Sequence, residues 1–491
     1  MKILYFHMDI AKRDLFENTP IFDAVMKLAV PTVMGQIILV VYNMADTFFI
    51  GLTDNTAKIT AVTICMPAFM FLSAVANLFG VGGSSVISRA LGKSNTDRAR
   101  YTSAFSFWGC LLATAVYSLS VLAFMNPFLN FLGGSNKGVH AFAGQYLTIT
   151  VVAGGVFTAM NNLMSHLVRS EGRSLHASIG VSLGGVLNIA LDPLFMFVIL
   201  PEGNEVVGAA VATAVSNVIS CVYFLVYITG AQRKKKTIVS FKLTKHSFEW
   251  EIPSKVLGAG LPAAVMTFAE NISYAILDNL MSAFGLAVQA GVGVAKKVNM
   301  LSHSIVRGIT QGALPLLGYN YSAGKRVKTK QTIRVVALFA VSCGIVCMVL
   351  MFVFARPLVG LFLDASAGED TRAALDYGVK FLRIFCIGGP FSALAYTIIS
   401  FFQAVGHGIS SLVLALLRKG ILDIPLMFVF RSVAESPMCG IVSATPAADI
   451  ICCIVSVIML FSFIGKHLKK DKRRKVFNPK TKQYEYADNI N

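Results

Sequence analysis

Twelve apolar stretches divide the chain, at residues 28–51, 60–83, 101–124, 141–165, 176–200, 206–230, 256–283, 287–311, 332–355, 378–402, 410–431 and 438–464. Each is long enough to cross about 30 Å of hydrocarbon as a helix. The polar breaks between them differ in charge. Those after the second, fourth, sixth and eighth stretches carry clusters of Lys and Arg, among them Arg89, Lys93, Arg98, Arg169, Arg173, Lys325 and Arg326, while the opposite breaks are nearly bare of both. The positive-inside rule then predicts a multi-pass protein with both termini in the cytoplasm. The fold class expected is an all-α integral membrane protein of twelve transmembrane helices.

The second half repeats the first. "NPFLNFL" at Asn126 recurs as "RPLVGLF" at Arg356, "DPLFMFV" at Asp192 as "IPLMFVF" at Ile424, and "VGAAVATAVS" at Val207 as "CGIVSATPAA" at Cys439. The offset between the copies stays nearly constant, and Pro31 and Pro262 correspond. Two six-helix units of equal orientation imply a pseudo-twofold along the membrane normal and a cavity between them. The organisation expected is a cytoplasmic N-terminal segment at 1–27, an N-lobe at 28–230, a basic cytoplasmic linker at 231–255, a C-lobe at 256–464 and a basic cytoplasmic tail at 465–491.

Composition narrows the function. Of 491 residues, 55% are hydrophobic and 14% charged, a balance no soluble protein of this size carries. The net charge of +18 lies in loops and tail beside the bilayer, so it points to anionic lipid rather than nucleic acid. Nine cysteines fall almost all within apolar stretches and read as packing residues, with no structural metal site. The glycine cluster "GVGGSS" near Gly82 reads as a close helix contact. The histidines His166, His176, His303 and His407 lack metal-ligand spacing and read as structural. There is no clear signal-peptide core, and no nucleophile–base pair, P-loop or dinucleotide fingerprint, so an enzyme is not expected.

The informative residues are the charges inside the apolar stretches. Asp192 sits in the fifth stretch, where an ionised carboxylate costs about 2.5–3.5 kcal/mol or more, and an intramembrane acid is a functional candidate by default. Asn188 is one helical turn earlier on the same face, and Pro193 frees a carbonyl near Ile189. Counted from the outer helix ends at about 1.5 Å per residue, Asp46, Asp192 and Thr213 all lie roughly 9–12 Å deep. Oxygens at one level suit a small hard cation, or a proton in its place. Gln36, Tyr42 and Asn43, near Asp46 on the first stretch, are candidates for the cavity wall. In the second half, Glu270 lies roughly 20 Å deep and Asp278 roughly 9 Å, near the repeat-equivalent of Asp46. Each of these two acids either faces the cavity and attracts cationic substrates or closes an internal salt bridge with Lys296 or Lys297. Arg418 and Lys419 read as a structural group with Asp423.

The motifs "YNMADTFFIG", "SRALGKSNTDRAR", "HLVRSEGR", "NIALDPLF", "VGAAVATAVS" and "GALPLLGYNYSAGK" together resemble the multidrug and toxic compound extrusion (MATE) family over about residues 20–465. The match is closest to its prokaryotic DinF-like and MepA-like branch. The resemblance implies a V-shaped pair of six-helix lobes in the bacterial inner membrane, exporting organic cations and amphipathic drugs against inward H+ or Na+, with no other cofactor and as a monomer. It also implies a coupling-cation site at Asp46, Asn188, Asp192 and Thr213, and a role in coupling or substrate binding for Glu270. Asp278 joins Gln36, Tyr42 and Asn43 as a further substrate-side candidate. The alternative expectation is a flippase for lipid-linked precursors of the same superfamily, which needs a strongly cationic cavity.

Overall fold

The computed structural model describes residues 10–53, 55–132, 137–363, 369–468, 475–478 and 483–486. Parts of the N-terminal segment and of the basic tail expected from the sequence therefore lie outside the described residues. A short helix α1 (Ile10–Glu17) precedes the spans α2 (Ile21–Gly51), α3 (Thr56–Gly92) and α4 (Thr96–Ala123). A short connecting helix α5 (Met125–Phe131) leads to a bent fourth span. This begins as α6 (Lys137–Leu147), widens into a π-helical segment at Thr148–Ala153, and leaves as α7 (Gly155–Ser170) at 47°. The fifth span is α8 (Ser174–Leu194), again widened at Phe195–Ile199, and the sixth is α9 (Glu205–Arg233).

The second half follows the same plan: α10 (Glu251–Ser282), α11 (Leu286–Ser322), α12 (Arg326–Val353) and the short α13 (Ala355–Gly360). Its fourth span, α14 (Glu369–Ile387) with α15 (Gly389–Val405), bends by 45°. Its fifth, α16 (Gly408–Leu416) with α17 (Asp423–Val433), is joined by a π-helical segment at Leu417–Leu422, and α18 (Pro437–His467) closes the set. The twelve spans fall where the apolar stretches predict them. The repeat thus shows even in its irregularities, since the fourth span of each half is bent and the fifth is widened next to a proline, Pro193 or Pro425. In the second half the cause is direct: Pro425 lacks the donor that would bond the Ile421 carbonyl inside the widened segment. Outside the helices, the tail forms a two-stranded antiparallel hairpin, β1 (Lys475–Asn478) and β2 (Gln483–Tyr486), with Lys475 opposite Tyr486.

Length and hydropathy alone pick out eight spans, and the two bent pairs make ten. The other two, α11 and the α16–α17 rod, carry Lys296, Lys297 and Arg307, and Arg418, Lys419 and Asp423. Most of these charges face protein: Arg418, Lys419 and Asp423 are wholly buried. Lipid meets the remaining apolar surface, such as Leu338, Val346 and Ile458, which is exposed in the isolated chain.

The halves meet mainly through α2 on α11 and α3 on α10. Four glycines make the approach possible. A Cβ on Gly308 would stand 2.5 Å from Val33 Cα, one on Gly312 2.7 Å from the Leu28 carbonyl, one on Gly82 2.2 Å from the Val256 carbonyl, and one on Gly260 1.7 Å from the Leu78 carbonyl. All four contacts lie toward the end of the bundle that carries the basic loops. At the same end Phe16 of α1 stacks on Tyr319 at 5.0 Å, Arg98 pairs with Glu251 at 2.9 Å, and Ser85 donates to the Gln403 carbonyl at 2.5 Å. The basic end is therefore sealed.

One buried acid helps to hold the linker between the halves, beside Ser103 and Trp108, which bond Ser240 and Phe241. Glu171, just past α7, accepts from Thr237 Oγ1 at 2.8 Å, from Val239 N at 3.0 Å and from Ile238 N. Burial pushes its carboxyl from the usual 4.5 up to about 7, against the opposing pull of those hydrogen bonds.

Candidate functional site

The N-terminal half brings three of the expected residues, Asn188, Asp192 and Thr213, into one hydrogen-bonded cluster, with Asp46 within electrostatic range of it. The helices α2 and α8 run side by side in the same direction. Gly35 faces Ser178, and Gly185 faces Ile38 and Tyr42, where a Cβ would stand 2.8 Å from Ile38 Cγ2. Continued along both helices at about 1.5 Å per residue, that register sets Asp46 opposite the turn that bears Asp192. The two acids lie within electrostatic range of each other, and Asp46 lies within range of Lys297 on α11. Asn188 and Asp192 are one turn apart on α8, so Asn188 Nδ2 donates to Asp192 Oδ1 at 3.1 Å. The same nitrogen reaches Thr213 Oγ1 on α9 at 3.3 Å.

These bonds use the amide's donors and leave its acceptor free. Asp46 Oδ1, Asn188 Oδ1 and Asp192 Oδ2 are buried and have no hydrogen-bond partner among the described residues. An unpartnered buried carboxylate oxygen is costly, and here oxygens of that kind come from two adjacent helices. Two carboxylates, one amide and one hydroxyl form a hard, all-oxygen donor set, suited to Na+ or to a proton and unsuited to a soft transition metal.

A polar chain runs from this pocket toward the middle of the protein. Asn217 Nδ2 donates to the Thr213 carbonyl at 2.9 Å, Asn161 Nδ2 donates to Asn217 Oδ1 at 3.1 Å, and Ser220 Oγ donates to Asn161 Oδ1 at 3.0 Å. Asn161 and Asn217 also line a cavity of about 250 Å³ between the halves. Gln36, Tyr42 and Asn43 are on its wall, as expected, and so is Glu270. Asp278 is not. Its carboxylate is held by Lys296 Nζ at 2.5 Å, away from the cavity.

Glu270 faces the cavity but is neutralised by its neighbours. Arg307 Nη2 donates to Glu270 Oε2 at 2.7 Å and to the Tyr396 hydroxyl at 3.2 Å, and that hydroxyl donates to Glu270 Oε1 at 3.1 Å. The partner is on α11, as the salt-bridge reading has it, but is Arg307 rather than Lys296 or Lys297. Arg418 pairs with Asp449 at 2.6 Å rather than with Asp423, which takes Lys419 at 2.8 Å. Sequence reading missed Asp449; an acid inside the twelfth apolar stretch was the available signal. His166 and His303, read as structural, also stand on the cavity wall.

The comparisons with known proteins agree with this architecture. The MatE family model matches residues 31–194 and 262–429, once in each half and each time from the proline of the first span. The chain belongs to the MatE family. MatE relatives include the multidrug export protein MepA of Staphylococcus saprophyticus, 26% identical over 446 residues, covering 91% of this chain and 95% of that protein. The MepA protein of Staphylococcus aureus strain MSSA476 is 27% identical over 447 residues, with the same coverage of 91% and 95%. Among solved structures, an outward-facing multidrug resistance MATE family transporter of the MOP superfamily superposes with TM-score 0.82 at 23% identity, over 92% of this chain and 97% of that one. A MOP superfamily transporter from Pyrococcus furiosus, described as having a binding pocket of reverse polarity that suggests a different function, gives TM-score 0.82 at 23% identity, over 92% and 98%. This MatE chain is a multi-pass membrane transporter of two pseudo-symmetric six-helix lobes.

Proposed function

We propose that the chain is a cation-coupled multidrug efflux antiporter of the bacterial inner membrane, exporting amphipathic drugs and organic cations by alternating access, with H+ or Na+ as coupling ion. The observation that carries this reading is the set of unpartnered oxygens at Asp46, Asn188 and Asp192. A cation bound there draws α2 toward α8 and α9; its release lets them part. The same helix α2 lies on α11 at the lobe seal, so occupancy of the pocket biases whether the seal is made or open. With the basic loops in the cytoplasm, the sealed end is the cytoplasmic one in this reading. The domain limits at 28–230 and 256–464, with both termini cytoplasmic, belong to this reading. Gln36, Tyr42 and Asn43 contact the drug, and Glu270 with Arg307 shapes the far wall.

The test is ethidium efflux in pump-deficient cells expressing wild type, Asp46→Asn or Asp192→Asn, repeated in proteoliposomes with imposed Na+ or H+ gradients. Efflux lost in both variants, and driven by one of the two gradients in wild type, supports the reading; efflux unchanged in both variants removes it. The paired Arg307 and the buried Arg169 on the cavity wall favour one competitor, the lipid-linked precursor flippase. It predicts no dye efflux by wild type under either gradient.

A further inference from the structure

The C-terminal lobe contains a second copy of the cation pocket. The dipeptide Leu191–Asp192 recurs as Leu422–Asp423, and Ile424 is an insertion before the proline. Asp192 then corresponds to Asp423 and Asn188 to Lys419 at one common offset, and Thr213 corresponds to Thr445 once the inserted Ile424 is allowed for. The structure brings the three counterparts together as it does the originals. Lys419 Nζ donates to Asp423 Oδ2 at 2.8 Å, and Thr445 Oγ1 donates to Asp423 Oδ1 at 3.0 Å. The first helix of the lobe contributes Ser273, the counterpart of Tyr42, whose hydroxyl donates to Asp423 Oδ2 at 2.7 Å.

One difference separates the copies. The N-lobe position one turn before the acid is an amide, and oxygens around it stay unpartnered. The C-lobe position is a wholly buried ammonium, and both oxygens of Asp423 have donors. The site of Asp46 is taken by Leu277, while Asp278 is tied to Lys296. Buried charge is balanced accordingly: Lys419 faces Asp423, Arg418 faces Asp449 and Arg307 faces Glu270. Among the described residues, Asp46 and Asp192 of the N-lobe have no salt-bridge partner of this kind.

We propose that the Lys419 ammonium is the built-in cation of the C-lobe pocket, and that this residue limits the transporter to one exchangeable pocket. The ligand class the pocket takes once Lys419 is shortened to an uncharged side chain is a monovalent cation, Na+ or H+. The consequence for coupling rests on the N-lobe reading above; the existence of the second pocket does not.

The experiment therefore uses the full-length transporter carrying Asp192→Asn, which disables the N-lobe pocket. In detergent, bound 22Na+ is counted by equilibrium dialysis, and proton uptake by stepping an unbuffered sample from pH 8 to pH 6. Adding Lys419→Asn or Lys419→Ser is expected to add about one bound cation per chain in one of the two assays. Adding Asp423→Asn as well removes it, and Lys419→Arg adds none. Gain in the 22Na+ arm identifies sodium, and gain in the proton arm alone identifies H+. An unchanged count in both arms with folded Lys419→Asn and Lys419→Ser proteins overturns the proposal. So does failure of both variants to fold at any NaCl concentration or pH, because a free cation should replace the ammonium. If Lys419→Asn gains a cation while Asp46→Asn and Asp192→Asn, each in the presence of Lys419, leave efflux intact, the second pocket stands and the N-lobe coupling reading falls.

Discussion

Replacing Arg307 with Gln should shift the ligand preference of the cavity toward cations. In the wild type, Glu270 Oε2 lies 2.7 Å from Arg307 Nη2, so a bound cation meets a dipole rather than a bare carboxylate. Without the guanidinium, a cation about 4 Å from Glu270 gains about 4 kcal/mol at an effective dielectric of 20. The Arg307 side chain is 34% exposed, so screening by water and ions in the cavity reduces this to about 1–3 kcal/mol, roughly 10- to 100-fold in affinity. Loss of one member of a buried pair costs about 3–5 kcal/mol of stability. The low end applies here, because Tyr396 keeps its bond to Glu270 Oε1. The assay is fluorescence binding of ethidium and of an uncharged phenanthridine of similar size to purified wild type, Arg307→Gln, Glu270→Gln and the double variant. Arg307→Gln should bind the cation more tightly with little change for the neutral ligand, and the double variant should lose that gain. An unchanged cation preference in Arg307→Gln, or a gain that survives Glu270→Gln, refutes the argument.

Three further outcomes follow from the geometry. Asn217→Ala cuts the polar chain between the cation pocket and the cavity. With about 1 kcal/mol per lost hydrogen bond, it should leave cation binding within a few-fold of wild type while lowering dye efflux more than either binding constant predicts. Gly260→Ala places a methyl 1.7 Å from the Leu78 carbonyl, so spin labels across the basic end should report a shift away from the sealed distance; an unshifted distribution counts against the seal. Glu171 protonates more readily in the docked linker than when free, so docking is strongest below its ordinary value of 4.5 and weakens as pH rises through about 7. The loss is on the order of 3 kcal/mol at most. Hydrogen exchange at Ile238 and Val239, corrected for intrinsic rate, should lose protection between pH 6 and 8 in wild type and stay level in Glu171→Gln.

The sequence shows the spans well because hydropathy reports the hydrocarbon directly, but it underestimates their length. The second stretch ends at 83 by hydropathy while α3 continues to Gly92, and the eighth ends at 311 while α11 continues to Ser322. Helical hydrogen bonding does not stop where lipid does. The grouping of Asn188, Asp192 and Thr213 was legible because the first two share one helix and one face, and because depth aligns Thr213, and Asp46, with them. Pairings between helices were not. Glu270 selects Arg307 over Lys296, and Arg418 selects Asp449 over Asp423, because those choices depend on how each helix is rotated about its axis. Hydropathy that is nearly uniform around a membrane helix carries little information about that angle.

The seam at the basic end has one more consequence. Where Gly82, Gly260, Gly308 and Gly312 meet the opposite lobe, main chain lies against main chain, and buried side chains such as Leu28, Val256 and Ile309 pack around these contacts. Such a joint is intolerant: it has no slack into which an added methyl can retreat. Substitutions that are mild elsewhere in the bundle should therefore act here on the balance between the two mouths, leaving the fold of each lobe intact.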